Sequence, residues 1–355
     1  MPKITNTPKV IQPQISELFT SARGQVTRAL NRIAINANKS ERMVYTYSKA
    51  TPTDLARLTS KKLEDSYKRV TWTNPKDNKV YHILEESREQ GKVQVRILDK
   101  DGAFVKNAEL EPKTIVIFDN FFSPRGLTHG ELMETFAKRF NPFANVERLE
   151  HKKGLIENIK YRGQLPAHLE TKRFSELLDK MENGKKVDYI SVSEVNLVDA
   201  EDVAGKAGTI QKEYVAQSPY ILNIRPIFEK IIAKGTRILE ASGNEKNCAK
   251  VVVSDRLAID GVEGCGSLRA GKVAGDSCSR NSIFTQHYEA RDYFPRLIKD
   301  ESGKILGVNI TGLEGTDLPL NRKTKRLPNI LGGTSYATPI RTAKLALNDM
   351  MEGIL

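Results

Sequence analysis

The 355-residue chain has no run of apolar residues long enough to cross a membrane, and no apolar stretch follows Met1-Pro2-Lys3-Ile4-Thr5. A transmembrane helix and a secretory signal are excluded on that pattern. The expectation is a cytoplasmic protein, or one exported by a machine that reads no such signal. Cysteine is scarce: Cys248, Cys265 and Cys278 are an odd number without metal-ligand spacing, which argues against a disulfide framework and a metal site. Basic residues outnumber acidic ones, 56 to 44, giving a net charge of +12. The chain nevertheless lacks a basic platform interleaved with aromatics. Its charges alternate in sign along most helical stretches, as on solvated faces, so a nucleic-acid partner is disfavoured. The densest basic cluster, Asn321-Arg322-Lys323-Thr324-Lys325-Arg326, reads as an exposed loop.

Length allows one large domain plus an extension. Residues 1–110 read as a basic N-terminal α+β extension, with 20 Lys/Arg against 12 Asp/Glu. Helical character runs from Ile15 to Lys39 and from Thr53 to Val70. Lys79–Leu84, Lys92–Leu98 and Ala103–Leu110 suggest a small antiparallel sheet, with Asp101-Gly102 as a hairpin turn. The extension is expected to be pro-segment-like or partner-binding. Residues 111–355 alternate strand and helix patterns and form the second unit.

The densest chemical signal lies near the end, in Leu331-Gly332-Gly333-Thr334-Ser335-Tyr336-Ala337-Thr338-Pro339. Two glycines permit a sharp turn and a close approach, Thr334 is a suitable N-cap, and Ser335 then falls in the first turn of a helix. Unpaired N–H groups and the positive end of the helix dipole favour a developing oxyanion there. Pro339 is expected near that first turn, where its missing N–H costs little.

A nucleophilic serine needs a base, and the base needs an orienting group. Among five histidines, His129 stands out, because it opens the helical run from Gly130 to Phe140. Ten residues earlier, Thr114-Ile115-Val116-Ile117-Phe118-Asp119 reads as a buried parallel strand with a carboxylate at its carboxyl end, where sites in α/β sheets are built. Farther on, Arg237-Ile238-Leu239-Glu240-Ala241-Ser242-Gly243-Asn244 reads as a strand and a small-residue loop that presents an amide. Such an amide suits the oxyanion of acyl transfer. Gly275-Asp276-Ser277-Cys278-Ser279 lacks the second glycine of competing serine motifs and reads as a loop.

Together these four pieces resemble the subtilisin-like serine proteases (subtilases, peptidase family S8), whose order is Asp, His, Asn, Ser. Gly333-Thr334-Ser335-Tyr336-Ala337-Thr338-Pro339 matches the family's serine motif at every fixed position, and His129-Gly130 and Ala241-Ser242-Gly243-Asn244 match well. Val187-Asp188-Tyr189-Ile190-Ser191-Val192-Ser193 is similar to the strand lining the substrate cleft. The resemblance covers residues from about 111 onward. It implies an α/β fold, a mostly parallel twisted sheet with helices on both faces.

The same resemblance implies Ser335 as nucleophile, His129 as general base and Asp119 as its orienting group. It also implies Asn244 with the Ser335 N–H as oxyanion hole, and Ser193, Ala241, Ser242 and Gly243 as binders of an extended peptide. The partner implied is a protein or peptide substrate, with an activating or targeting partner for residues 1–110. The chemistry requires no metal or cofactor. The family allows a structural calcium, but the sequence offers no convincing ligand set. Two departures mark a divergent member: the Asp-to-His segment shrinks to Asn120–Thr128, and Ser193-Glu194-Val195 replaces the usual cleft continuation. Two other readings stay open, an inactive subtilase-fold binding protein and a basic nucleic-acid-binding or scaffolding protein.

Overall fold

The computed structural model describes residues 48–49, 69–122, 128–152, 156–157, 160, 167–193, 218–244, 254–269, 271–274, 277, 285–290, 294–299, 305–311, 318–319 and 333–355. The chain divides into two compact units, Met1–Tyr45 and Thr46–Leu355, and every described residue belongs to the second. The helix expected over 15–39, Glu194, the 321–326 cluster, Cys248 and Cys278 lie outside the described residues.

Short strand β1 (Ser48–Lys49) precedes an antiparallel meander of β2 (Arg69–Thr73), β3 (Val80–Glu89), β4 (Lys92–Asp99) and β5 (Phe104–Leu110). Asp99 N–H donates to the Ala103 carbonyl, and Gly102, at φ 85°, turns the β4–β5 hairpin where a side chain would be strained. Arg69–Thr73 is strand rather than the end of the helix expected over 53–70. Its alternating RVTWT pattern seats Trp72 inward and pairs each residue with β3.

The main sheet follows. It is built from β6 (Thr114–Asp119), β7 (Asn145–Glu150), β8 (Tyr189–Val192), β9 (Arg237–Ala241), β10 (Val262–Arg269), β11 (Lys272–Val273) and β12 (Thr285–Ala290). Its order is β11-β10-β9-β8-β6-β7, with β12 also on β10, and every pairing except β10–β11 is parallel. A third sheet joins β1 to β13 (Phe294–Lys299), β14 (Ile305–Thr311) and β15 (Leu318–Pro319).

Helices cover the main sheet on both faces: α1 (His129–Phe140), α2 (Ala167–Glu182), α3 (Pro219–Ala233) and α4 (Thr334–Met351). This is the mostly parallel α/β class expected from the sequence. The continuous apolar run of β6 is explained by burial of both its faces. Val116 and Phe118 enter a cluster with Phe174, Leu177, Ile221 and Phe228 of α2 and α3, while alternation turns Ile115 and Ile117 to the opposite side. On that side α1 and α4 meet, with the Phe136 and Tyr336 rings 5.0 Å apart.

The meander shares a core with the end of α4. Trp72, Ile83, Val95, Ile97 and Leu110 pack with Phe143, Leu347, Met350 and Met351, and Trp72 Nε1 donates to Asn348 Oδ1 at 2.7 Å. Leu347 lies twelve positions beyond Ser335, roughly 18 Å along the helix. Residues 69–110 therefore dock at the end of α4 remote from Ser335.

Candidate active site

Asp119 ends β6 at the carboxyl edge of the sheet and is fully buried. Its carbonyl accepts from His151 N–H at 2.8 Å, which fastens it to the residue following β7. His129 is the first residue of α1. Thr128 caps that helix, its hydroxyl accepting from Glu131 N–H while Glu131 accepts from Thr128 N–H, a reciprocal capping box.

The glycine after His129 is needed for packing. A Cβ on Gly130 would lie 2.9 Å from the Phe121 ring and 3.0 Å from the Asn120 carbonyl, which accepts from Gly130 N–H. The helix start therefore seats directly on Asn120-Phe121, the residues next to Asp119. As a result His129 Nδ1 lies 2.8 Å from both Oδ1 and Oδ2 of Asp119. A carboxylate only accepts, so a proton sits on Nδ1, and Nε2 is the ring nitrogen not held by Asp119. The described part of the short Asp-to-His segment holds no strand, and the pair still closes.

Ser335 is the second residue of α4 and is 9% exposed. The N-cap is Gly333, not Thr334 as the sequence suggested. Gly333 has φ 99°, and a Cβ there would fall 2.2 Å from Asn244 Oδ1 and 2.6 Å from its Nδ2. Glycine is thus required twice, by conformation and by contact. Thr334 is freed to bind the Asn244 loop: its N–H and hydroxyl both donate to Asn244 Oδ1, at 2.8 and 3.2 Å, and its Oγ1 accepts from Gly243 N–H at 3.0 Å. With the Asn244 oxygen facing two donors, its Nδ2 is presented on the other side as a donor.

Pro339 lies deeper in α4 than expected, and this decides another contact. Lacking an N–H, it leaves the Ser335 carbonyl, four residues earlier, without a helical donor. Ser193 Oγ supplies one at 3.0 Å, and Ser335 Oγ donates in return to the Ser193 carbonyl at 3.0 Å. Ser193 directly follows β8, so the two serines join the adjacent strand to the helix start.

The other residues implicated by the sequence are held from the neighbouring strands. Ala241 pairs with Cys265 of β10, Ser242 N–H donates to the Cys265 carbonyl at 3.0 Å, and Ser242 Oγ meets Thr285 Oγ1 at 2.9 Å. Burial pushes the Cys265 thiol up to about 12, so it stays protonated and inert at neutral pH.

The structure thus forms two tight groups, Asp119 with His129, and Thr334-Ser335 with Asn244, Gly243 and Ser193. Tyr336 links them: its ring, one residue from Ser335, stacks against the His129 imidazole with centroids 6.2 Å apart. Sequence reasoning missed Thr334 as a partner of Asn244, Tyr336 against His129, and Phe121 under Gly130. Each is a long-range contact that local pattern does not encode. Pairing of β12 with β10 likewise brings His287 Nε2 to 2.5 Å from Glu263 Oε2. Among the described residues no group of three His, Cys, Asp or Glu is placed to hold a metal, and no helix is long and apolar enough to cross a membrane.

No protein-family model and no curated protein matches the chain. Among solved structures it is similar to the prenylagaramide maturation protease PagA at 14% identity, over 66% of this chain and 74% of that one, with a TM-score of 0.36. It is likewise similar to the MycP3 protease of the type VII (ESX-3) secretion system, at 13% identity over 66% and 70% with a TM-score of 0.38. A third similar structure is the nisin leader peptidase NisP from Lactococcus lactis, at 12% identity over 68% and 78% with a TM-score of 0.39. Overlaps this low carry no argument about chemistry, and the site is defined by its own distances.

Proposed function

We propose that the chain is a serine endopeptidase of the subtilisin-like type acting on protein or peptide substrates. The observation that carries this reading is the Asp119 carboxylate holding His129 Nδ1 at 2.8 Å, beside a helix start that bears Ser335. In the first step Ser335 Oγ turns from the Ser193 carbonyl and attacks the scissile carbonyl carbon, and His129 Nε2 takes the hydroxyl proton. Asn244 Nδ2 and the Ser335 N–H receive the charge that appears on the carbonyl oxygen. His129 then gives the proton to the leaving amine, and an acyl group remains on Ser335. Water attacks that ester, its proton passes to His129 and on to Ser335 Oγ, and the acid product leaves. Asp119 stabilises the imidazolium throughout. Ser193 and Ala241-Ser242-Gly243, at the carboxyl ends of adjacent strands, would hold the extended substrate.

Residues 1–110 would serve a partner or act as a pro-segment-like extension, and a bound calcium would be structural only. A second reading rests on the bond from Ser335 Oγ to the Ser193 carbonyl: a hydroxyl kept there would make the protein a catalytically silent binder. Fluorophosphonate labelling with intact-mass detection separates the two. The protease reading expects one adduct on the wild type and none on Ser335→Ala or His129→Ala. An unlabelled wild type would leave the binder.

A further inference from the structure

We infer that Glu240, Ser254 and Arg256 are positioning residues for the Asn244 loop, acting as a buried clamp that fixes where the side-chain amide sits. The inference rests on the reading of Asn244 as an oxyanion donor, and its test is chosen to stand apart from that reading.

Glu240 is the penultimate residue of β9, four positions before Asn244, and is completely buried. Its neighbours Ile238, Leu239 and Ala241 are equally buried, so an apolar residue would be the ordinary occupant of position 240. Both carboxylate oxygens are taken. Ser254 Oγ donates to Oε1, and Arg256 Nε donates to Oε2 at 2.9 Å.

Arg256, 1% exposed, sits on the short 3-10 turn Asp255–Ala258. Its Nη1 also reaches Glu170 Oε1 of α2 and, at 2.9 Å, the hydroxyl of Tyr220 of α3. Tyr220 in turn donates to Glu170 Oε1 at 2.5 Å. One guanidinium thus joins the end of β9, two helices and the turn that re-enters the sheet at β10.

The position of this clamp along the chain gives it a function. The chain leaves β9 after Ala241 and runs through Ser242-Gly243-Asn244, and the next described residues, from Ser254, lead through the 3-10 turn into β10. Glu240 bonded to Ser254 and Arg256 therefore ties the end of β9, which leads to Asn244, to the turn before β10. Thr334 holds Asn244 from the helix side, and the clamp holds the root of its loop from beneath.

Stability does not account for such a cluster. Burying a guanidinium with carboxylates is costly, and well-packed apolar residues of similar volume often match or exceed its stability. What it supplies is registry, because a forked donor with fixed acceptors admits one arrangement where an apolar cluster admits several. An oxyanion donor needs that definition, since a misplacement near 1 Å is enough to lose most of its effect.

The test compares wild type with Arg256→Met, Glu240→Gln and the milder Ser254→Ala. Amide hydrogen exchange would be read at Gly243, whose N–H donates to Thr334, and at Thr334, whose N–H donates to Asn244. We expect exchange at both amides to rise at least tenfold while amides around Phe174 and Phe228 keep their protection. In parallel, fluorophosphonate labelling of Ser335 should slow at least tenfold in Arg256→Met. Combining Arg256→Met with Asn244→Ala should add nothing, because both remove the same donor.

Unchanged protection at Gly243 and Thr334 in a folded variant, or fully additive losses of labelling, would overturn the inference. If Arg256→Met does not fold, Ser254→Ala decides by the same two readouts. An unlabelled wild type counts against the protease reading, and the exchange measurement then decides the clamp alone.

Discussion

Replacing Gly333 by alanine tests the contact on which the serine and the amide both depend. The new Cβ would lie 2.2 Å from Asn244 Oδ1, and ordinary contact begins near 3.4 Å, so the amide must retreat by about 1.2 Å. Gly333 cannot yield instead without leaving φ 99°, and an alanine held in that region costs about 1–3 kcal/mol. Moving Asn244 also breaks its bonds from Thr334, and on the proposed mechanism Nδ2 would then no longer face the developing charge. A displacement of about 1 Å at a positioned group is worth about 100-fold in rate. Complete removal of the corresponding donor in subtilisin, which sets that enzyme's own scale, costs about 10² to 10³. The expected outcome is a folded protein with modestly lowered stability, labelled at Ser335 by fluorophosphonate about 100-fold more slowly. The assay is the second-order labelling rate beside a urea unfolding curve. A Gly333→Ala protein that folds and is labelled at the wild-type rate would refute the argument that Gly333 and Asn244 form one unit.

Three further outcomes follow from single contacts. Ser193→Ala removes the donor to the Ser335 carbonyl and should cost about 1–3 kcal/mol in urea unfolding, the penalty of an unpaired buried acceptor. Adding Pro339→Ala gives that carbonyl a helical N–H and should recover most of the loss, whereas simple additivity would contradict it. Burial raises the Asp255 carboxyl to about 8 against the pull of Arg256, with Glu240 and Glu170 adding to the rise. The stability carried by its protonated form is full below the unfolded value of 3.8, shrinks as pH rises, and is gone above about 8. Wild type should therefore lose more unfolding free energy between pH 6 and 8 than Asp255→Asn, and parallel curves would refute the shift. Trp72→Ala empties the junction of the meander with α4 and should cost about 3–5 kcal/mol, read by thermal melting. A smaller loss, below about 1 kcal/mol, would mean that the meander contributes little to α4.

The sequence determined the parts of this protein that depend on local pattern. The apolar run of residues 114–119 could only be a strand covered on both faces, and it is β6. His129-Gly130 marked a helix start, Asp101-Gly102 a hairpin, and the Gly-Thr-Ser run a helix opening with a serine in its first turn. The order of Asp119, His129, Asn244 and Ser335 also pointed to one chemistry before any distance was known. Tertiary structure decided what those residues touch. That Gly333 caps α4 follows from Asn244, 89 positions away, occupying the space of a side chain. That Pro339 is tolerated inside the helix follows from Ser193 across the sheet edge. Glu240 takes its meaning from Arg256, which bonds it from a turn and itself reaches Glu170 and Tyr220 on two helices. The division has a physical cause. Backbone propensity and burial periodicity act between near neighbours and are written in the sequence. Hydrogen-bond partners and steric vacancies arise between segments that only packing brings together.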